Sequence, residues 1–342
     1  MDKHDFHAAA REGTLNAIPV DLLSAENLSR QNSSGNTPMH MAAKYGNLRQ
    51  LPPRLLMQQL LTLKNAAGYT PIHLAARSAH LDQVPASILT RENLLLRSNS
   101  GYTPLHQAAA AGALAQVPAD ILSNEIALTK TDHGNTLLHE AAEAGTLGQF
   151  PTKFLTQSTL TVANISGESV LHVAAFNGHL DQIPPGLLTA AALLSKTANH
   201  DTCLHAAAIA GHLDQIPAEL LSHENLVRPS KSGHTPIHAA AESGNIQQIP
   251  RERLTVDLLT SRNDFGDTPM HAAAVEGHLD DIPPEFLTAA TLNVRNYNGG
   301  TPVGAAIRYG HASQLPAEFV PKPPTAWQRL LYKIGFARPN LT

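Results

Sequence analysis

Thr103-Pro104-Leu105-His106-Gln107-Ala108-Ala109, followed three residues later by Gly112, decides the fold of this chain. Versions of it recur at one fixed interval. His7, His40, His73, His106, His139, His172, His205, His238 and His271 stand 33 residues apart, and the next step lands on Gly304 in Thr301-Pro302-Val303-Gly304-Ala305-Ala306. Ten copies without an insertion or deletion mark a stacked-repeat architecture, in which each unit buries its apolar face only against its neighbours.

One unit shows how the pattern specifies structure. In Gly68-Tyr69-Thr70-Pro71-Ile72-His73-Leu74-Ala75-Ala76 the threonine is a natural N-cap, and proline next to it pre-sets the first helical turn. The paired alanines allow close approach of neighbouring helices. A glycine six residues after the repeat histidine ends the helix, with Ala79 the exception among ten copies. A helix of about two and a half turns is too short to persist alone, so stacking must hold it.

The motif Gly-x-Thr-Pro-Leu-His-x-Ala-Ala-x-x-Gly-His-Leu, visible over Gly101 to Leu114 and in part over Gly266 to Leu279, resembles the ankyrin repeat. The resemblance covers residues 4–320 and implies an all-α, ankyrin-like α-solenoid of ten stacked 33-residue repeats. It also implies that the threonine and histidine are structural, holding adjacent repeats in register. Residues 1–320 form this solenoid, with atypical first and last repeats. Residues 321–342 are expected to form a Pro-rich linker and a basic amphipathic C-terminal helix.

The second half of each unit departs from that family. Ankyrin repeats continue with an aliphatic second helix and a β-hairpin finger. Here proline occupies one column in all ten copies: Pro19, Pro52, Pro85, Pro118, Pro151, Pro184, Pro217, Pro250, Pro283 and Pro316. Inside a helix each would cost roughly 3 kcal/mol. The proline is therefore read as the first residue of a short Pro-x-x-Leu-Leu helix, with the preceding aliphatic residue extended. The Ser or Thr that follows caps one more helical turn, ending at leucines such as Leu28, Leu94 and Leu226. That turn consumes the residues a β-finger needs, so the fingers are expected to be shortened or absent.

Columns of Leu48, Leu81, Leu114, Leu180 and Leu279, and of Ile18, Val84, Val117, Ile183 and Ile216, mark the core between repeats. A glutamine column (Gln50, Gln83, Gln116, Gln149, Gln182, Gln215, Gln248, Gln314) is expected to hydrogen-bond to loop backbone.

Composition narrows the function. Residues 1–320 carry 20 basic and 28 acidic residues, net −8, which argues against nucleic acid as a partner. One cysteine, Cys203, excludes an internal disulfide framework and favours a reducing compartment. The start of the chain lacks an apolar run of signal-peptide length, and no stretch approaches 18 apolar residues. A cytoplasmic protein is the expectation; secretion as an effector through a non-cleaved, receptor-read signal stays open. The regular Ile-Pro-x-x-Leu-Leu variant leans toward a bacterial source.

Nineteen histidines raise metal or acid–base chemistry. Nine are the repeat histidine, and His80, His179, His212, His278 and His311 follow the helix-ending position, where the ankyrin pattern also places histidine. His4, His133, His200, His223 and His234 are scattered without zinc-ligand spacing. Cys203 beside His205 could suggest a nucleophilic pair, but both fill scaffold slots, the first shared with Leu137 and Val170. No phosphate loop, nucleophile elbow or metalloprotease motif is present. The reading is a non-enzyme, with no catalytic residue, metal or cofactor.

The informative positions are those the repeat leaves free. In the ankyrin family, partners bind through loop tips before the threonine and outer residues late in the first helix, on the concave face. Carried onto this chain, that selects five of the 33 columns. Seven of the aromatic residues fall in them: Tyr45, Tyr69, Tyr102, Phe176, Phe265, Tyr297 and Tyr309. Rigid aromatics are the usual anchors of interfaces. Tyr45, Tyr69 and Tyr102, in consecutive repeats, are expected to form one patch. The same columns carry Arg11, Lys44 and Arg77 near the start, and Glu143, Glu168 and Asp201 in the middle. The expected function is a monomeric scaffold binding a protein partner on its concave face, with Lys44 and Arg77 beside the aromatics.

The tail differs in kind. Pro321-Lys322-Pro323-Pro324 stops the array, and Thr325 can cap a helix through Phe336 with Trp327, Leu330, Leu331 and Ile334 on one face. Three roles follow: a cap on the last repeat, a docking helix for another protein, or a basic amphipathic segment on an anionic membrane. The last would make the chain a membrane-peripheral adaptor.

Overall fold

A computed structural model describes residues 5–320. The helix expected over 325–336, with Trp327, Leu330, Leu331 and Ile334, lies outside the described residues, as does His4. The chain clusters into two compact units, Met1–Ala198 and Asn199–Thr342. Among the described residues there is no strand, and the one β-bridge, between Ala163 and Ser169, is isolated.

In the first unit the six leading helices of the repeats are Phe6–Glu12, Pro38–Tyr45, Pro71–Arg77, Pro104–Ala110, Leu137–Ala144 and Val170–Asn177. Each packs against the next in sequence, giving a stacked, solenoid-like series. The second unit repeats the arrangement with Cys203–Ala210, Pro236–Glu242, Pro269–Glu276 and Pro302–Tyr309. Every leading helix is seven or eight residues long and stable only through its neighbours. The helix ends are built as the sequence requires. Thr37, Thr70 and Thr103 each accept a hydrogen bond from the backbone of the repeat histidine, whose Nδ1 lies 2.8 Å from the threonine hydroxyl. Where glycine is missing from the helix-ending column, Ala79 still adopts its left-handed conformation, at φ 58°.

The second half of the repeat differs from the sequence reading in one respect. The aliphatic residue before proline is extended, as with Ile216 at ψ 133°. But the proline is extended too: Pro217 has φ −50° and ψ 127°. It precedes the helical turn instead of beginning it. Its carbonyl accepts from the backbone N–H three residues on, in all ten copies, from Leu22 on Pro19 to Phe319 on Pro316 at 2.8–3.1 Å. The ring fixes φ and leaves the carbonyl free, so proline closes a single 3₁₀-type turn from outside. A second 3₁₀ turn, Leu48–Gln50 and its equivalents, fills the space between the helix-ending residue and the extended pair. The Ser/Thr-capped turn that follows is present, as at Thr90 capping Arg91–Leu94.

The fingers are shortened to five-residue turns. In one of them Asn65 N–H donates to the Tyr69 carbonyl and Gly68 N–H to the Asn65 carbonyl, both at 2.9 Å. Turn tips then join along each unit: Ala66 N–H donates to Ser34, Asn99 to Ala67, Asp132 to Ser100 and Ile165 to His133. Glycine is needed at Gly35 for this close approach, since φ is +73° and an added Cβ would lie 2.5 Å from the Ala66 nitrogen.

The glutamine column forms the expected ladder. Gln116 accepts from Leu81 N–H at 2.8 Å and donates to the Ala79 carbonyl at 2.8 Å, satisfying a helix end one repeat earlier. Gln83 accepts from Leu48 N–H, and Gln248 from Leu213 N–H. The leucine and aliphatic columns are buried throughout.

Candidate partner-binding surface

The repeat histidine fixes the backbone around it. His40 and His73 are fully buried. Thr70 N–H lies 3.1 Å from His73 Nδ1, and Nε2 lies 3.1 Å from the Tyr102 carbonyl. An N–H can only donate and a carbonyl only accept, so Nδ1 is the acceptor and Nε2 carries the proton. Burial pushes the imidazole down to about 4, and hydrogen bonds from Nε2 to backbone carbonyls offset this only in part. His40, His106, His139 and His238 behave alike. These groups are neutral struts.

Cys203 is buried at the first position of its helix, and burial pushes its thiol up. A thiol held protonated is a poor nucleophile. Among the described residues no cluster of His, Cys, Asp or Glu has the arrangement of a metal site.

The residue immediately before the repeat threonine is held by this network. In the third and fourth repeats its carbonyl accepts from the preceding repeat's histidine: Tyr69 from His40 at 3.0 Å, and Tyr102 from His73. Tyr69 and Tyr102 therefore occupy the same slot in consecutive repeats. Each stands edge-on to its own repeat histidine, with ring centroids 5.4 and 6.0 Å apart. Tyr45 is placed differently. It ends the helix Pro38–Tyr45, about two turns from that column, under the Lys44 ammonium 5.2 Å from its ring centroid. The trio thus divides into a pair and a single residue. Arg77 is exposed at the end of the next helix.

Near Tyr102 lies a further buried acidic group. Glu140 follows the repeat histidine directly, where Met41, Leu74 and Val173 stand in other repeats. It is only 7% exposed, and its Oε1 accepts from Asn135 Nδ2 at 3.1 Å. Burial pushes its carboxyl up to about 7, and Glu143 adds to the shift while the Asn135 bond opposes it. Burial likewise raises the Tyr102 phenol to about 12, helped by the nearby Glu140, Glu143 and Tyr69. The signal in the sequence was a polar residue in an otherwise apolar or small column, which Gln107 shares.

In the second unit Phe265 and Tyr297 come together at consecutive turn tips, joined by Tyr297 N–H to the Phe265 carbonyl. Arg262 lies over the Tyr297 ring at 5.9 Å. Tyr309 ends the last leading helix under Arg308, also at 5.9 Å. It borders a groove of about 930 Å³ shared with His234, Glu242, Asp267 and Arg295. The groove opens where Gly300 and Gly304 remove the side chains that other repeats carry before the threonine and at the histidine. Phe176, in the first unit, is half exposed late in its helix.

Exposure across the described residues sorts the surface. Eleven large apolar side chains are exposed, and seven fall in the five free columns: Tyr45, Ile165, Phe176, Ile209, Phe265, Tyr297 and Tyr309. Ile165 and Ile209 are aliphatic and so lie outside the aromatic set that marks these columns in the sequence.

A family model described as "Ankyrin repeats (3 copies)" matches residues 186–249. Over that stretch the repeats are ankyrin repeats. No curated protein sequence matched the chain. Ankyrin repeats are in general protein–protein interaction modules, and proteins built from them are typically binding scaffolds without enzymatic activity. Here the family's Thr-Pro-x-His helix is retained, while the second helix has become two 3₁₀ turns separated by an extended proline and followed by a single α-turn. No helix among the described residues is long and apolar enough to cross a membrane.

Proposed function

We propose that this ankyrin-repeat protein is a non-enzymatic scaffold that binds another protein through the side chains at its turn tips and leading-helix ends. The observation that carries the reading is the concentration, among the described residues, of seven of eleven exposed large apolar side chains in five of 33 columns. An even scatter would put about two there, and isolated exposed apolar residues need no explanation. In the first unit the anchors are Tyr69 and Tyr102 with Tyr45 and Phe176, flanked by Lys44 and Arg77. In the second they are Phe265, Tyr297 and Tyr309.

The mechanism is preorganisation. Each tyrosine before the threonine has its backbone fixed by the previous repeat's histidine, and turn tips are tied together by backbone bonds. A partner meets a surface already ordered, so little conformational entropy is lost on binding. Affinity capture from the native cell lysate, comparing wild type with a Tyr45/Tyr69/Tyr102 triple alanine variant of unchanged circular dichroism, tests the assignment. At least one captured protein should be lost from the variant. Equal capture of every protein would remove these residues from the interface.

A further inference from the structure

The slot that follows the repeat histidine holds alanine, methionine, leucine or valine in eight of the ten repeats. The fourth and fifth repeats put Gln107 and Glu140 there instead. Both are more than nine-tenths covered, at 9% and 7% exposure, where polar side chains need partners.

Those partners are largely missing. Glu140 Oε1 accepts from Asn135 Nδ2 at 3.1 Å, while its Oε2 has no hydrogen-bond partner among the described residues. The Gln107 side-chain amide has none there for either its oxygen or its nitrogen. Among the described residues no fully covered side-chain oxygen or nitrogen lacks a partner, so the small exposure of Gln107 and Glu140 includes these polar ends.

The two side chains face one gap. They leave equivalent positions of the neighbouring helices Pro104–Ala110 and Leu137–Ala144, which pack directly together. Axes of packed helices lie about 8–10 Å apart, a separation that one planar donor group can bridge. Tyr102 stands close by. Its phenol is raised first by burial and then by Glu140 and Glu143, which places both carboxylates near it.

The gap is acidic and has no counter-ion. Glu143, one turn on from Glu140, is exposed and in no ion pair among the described residues. The cations beside the two turns are committed elsewhere: Arg97 pairs with Asp132 at 2.6 Å, and Lys130 donates to the Ala163 carbonyl at 2.9 Å.

A ligand that satisfies this gap brings hydrogen-bond donors and positive charge. An ammonium group is a compact, strongly hydrated point charge, whereas a guanidinium is flat, more weakly hydrated and carries five donors in a fork. It can donate to Glu140 Oε2 and to the Gln107 side-chain oxygen at once, with its face on the Tyr102 ring.

We infer that Gln107, Glu140 and Tyr102 form a pocket for one arginine side chain of the protein partner. Glu140 supplies the charge, Gln107 the second acceptor and Tyr102 the stacking surface. The pocket rests on the scaffold function proposed for the chain and names the side chain that such a partner must present.

Titration of the full chain with Nα-acetyl-arginine amide at pH 8, where the Glu140 carboxyl is charged, tests the pocket with one side chain. The NMR signals of the Gln107 side-chain amide, identified by their loss in Gln107→Leu, should shift saturably. Glu140→Gln should weaken binding about tenfold or more while circular dichroism stays native, and the citrulline and lysine analogues at matched ionic strength should be weaker by a similar factor. Absence of a saturable shift would overturn the pocket. So would equal binding of citrulline, which would show that charge is not recognised, or of lysine, which would show that the fork is not. Equal binding by Glu140→Gln would place the arginine elsewhere and overturn it too. The scaffold function fails separately: loss of a captured protein from the Tyr45/Tyr69/Tyr102 variant, with no arginine shift in the wild type, would keep the scaffold and remove this pocket.

Discussion

The Nε2 atom of His73 lies 3.1 Å from the carbonyl oxygen of Tyr102, 29 residues later and in the next repeat. The same histidine caps its own helix through Thr70. One side chain therefore closes a helix start, sets the register of two repeats and fixes the backbone of a part-buried aromatic residue. His73→Ala leaves the Thr70 N–H and the Tyr102 carbonyl without this partner and opens a cavity. A loss of about 2–4 kcal/mol is expected in urea unfolding. A change under 0.5 kcal/mol would mean that stacking, not the strut, holds the register.

The struts also predict a pH dependence. In the unfolded chain an imidazole titrates near 6.5, whereas burial holds His40, His73, His106, His139 and His238 at about 4 in the folded chain. Between those values the unfolded state binds protons that the native state refuses. The contribution of each is complete above pH 6.5 and is lost as pH falls toward 4, amounting to roughly 1–2 kcal/mol per imidazole at pH 5. Tm measured at pH 7, 6 and 5 should fall progressively. A flat profile across that window would contradict neutral, buried struts.

Ala79 offers a test in the opposite direction. It holds φ 58° where other repeats use glycine. The left-handed conformation costs an L-residue roughly 1–2 kcal/mol, and glycine returns part of that gain through its greater freedom when unfolded. Ala79→Gly should stabilise by up to about 1 kcal/mol. Gly46→Ala should do the reverse and more, because φ is +74° and the new Cβ would meet His80 Nε2 at 2.9 Å. Urea midpoints moving the same way for both variants would refute the conformational account.

Much of this was legible in the sequence because the repeat supplies ten readings of each slot. The leading helix, its threonine cap, the left-handed residue after it and the glutamine ladder all follow from residue types whose chemistry is local. The proline was harder. Both a helix-starting and a helix-preceding proline have φ near −65°, and only ψ distinguishes them, which depends on packing around Ile216 and its equivalents. The surface was harder still. Column membership placed Tyr69 and Tyr102 before the threonine and Tyr45 late in its helix, but did not show that Glu140 is covered. Burial of a carboxylate is a property of its neighbours in three repeats, and no single copy encodes it.

Glu140 is the residue whose role is most open to measurement. Its carboxyl titrates near 7 in the folded chain against an ordinary 4.5, because burial and Glu143 disfavour the charge. The folded state therefore gains from the protonated form below pH 4.5 and loses that advantage as pH rises through 7, the opposite sense to the histidines. Glu140→Gln keeps an oxygen for Asn135 Nδ2 and removes the charge. It should raise Tm at pH 8 by a few degrees and leave it unchanged at pH 4.5, where the native carboxyl is already neutral. Equal effects at both pH values would mean that packing, not charge, distinguishes the variant. If stability is gained at pH 8 while partner capture is lost, the buried carboxylate is kept for binding: it places negative charge near Tyr102, where a partner's basic side chain would relieve the desolvation the free protein carries.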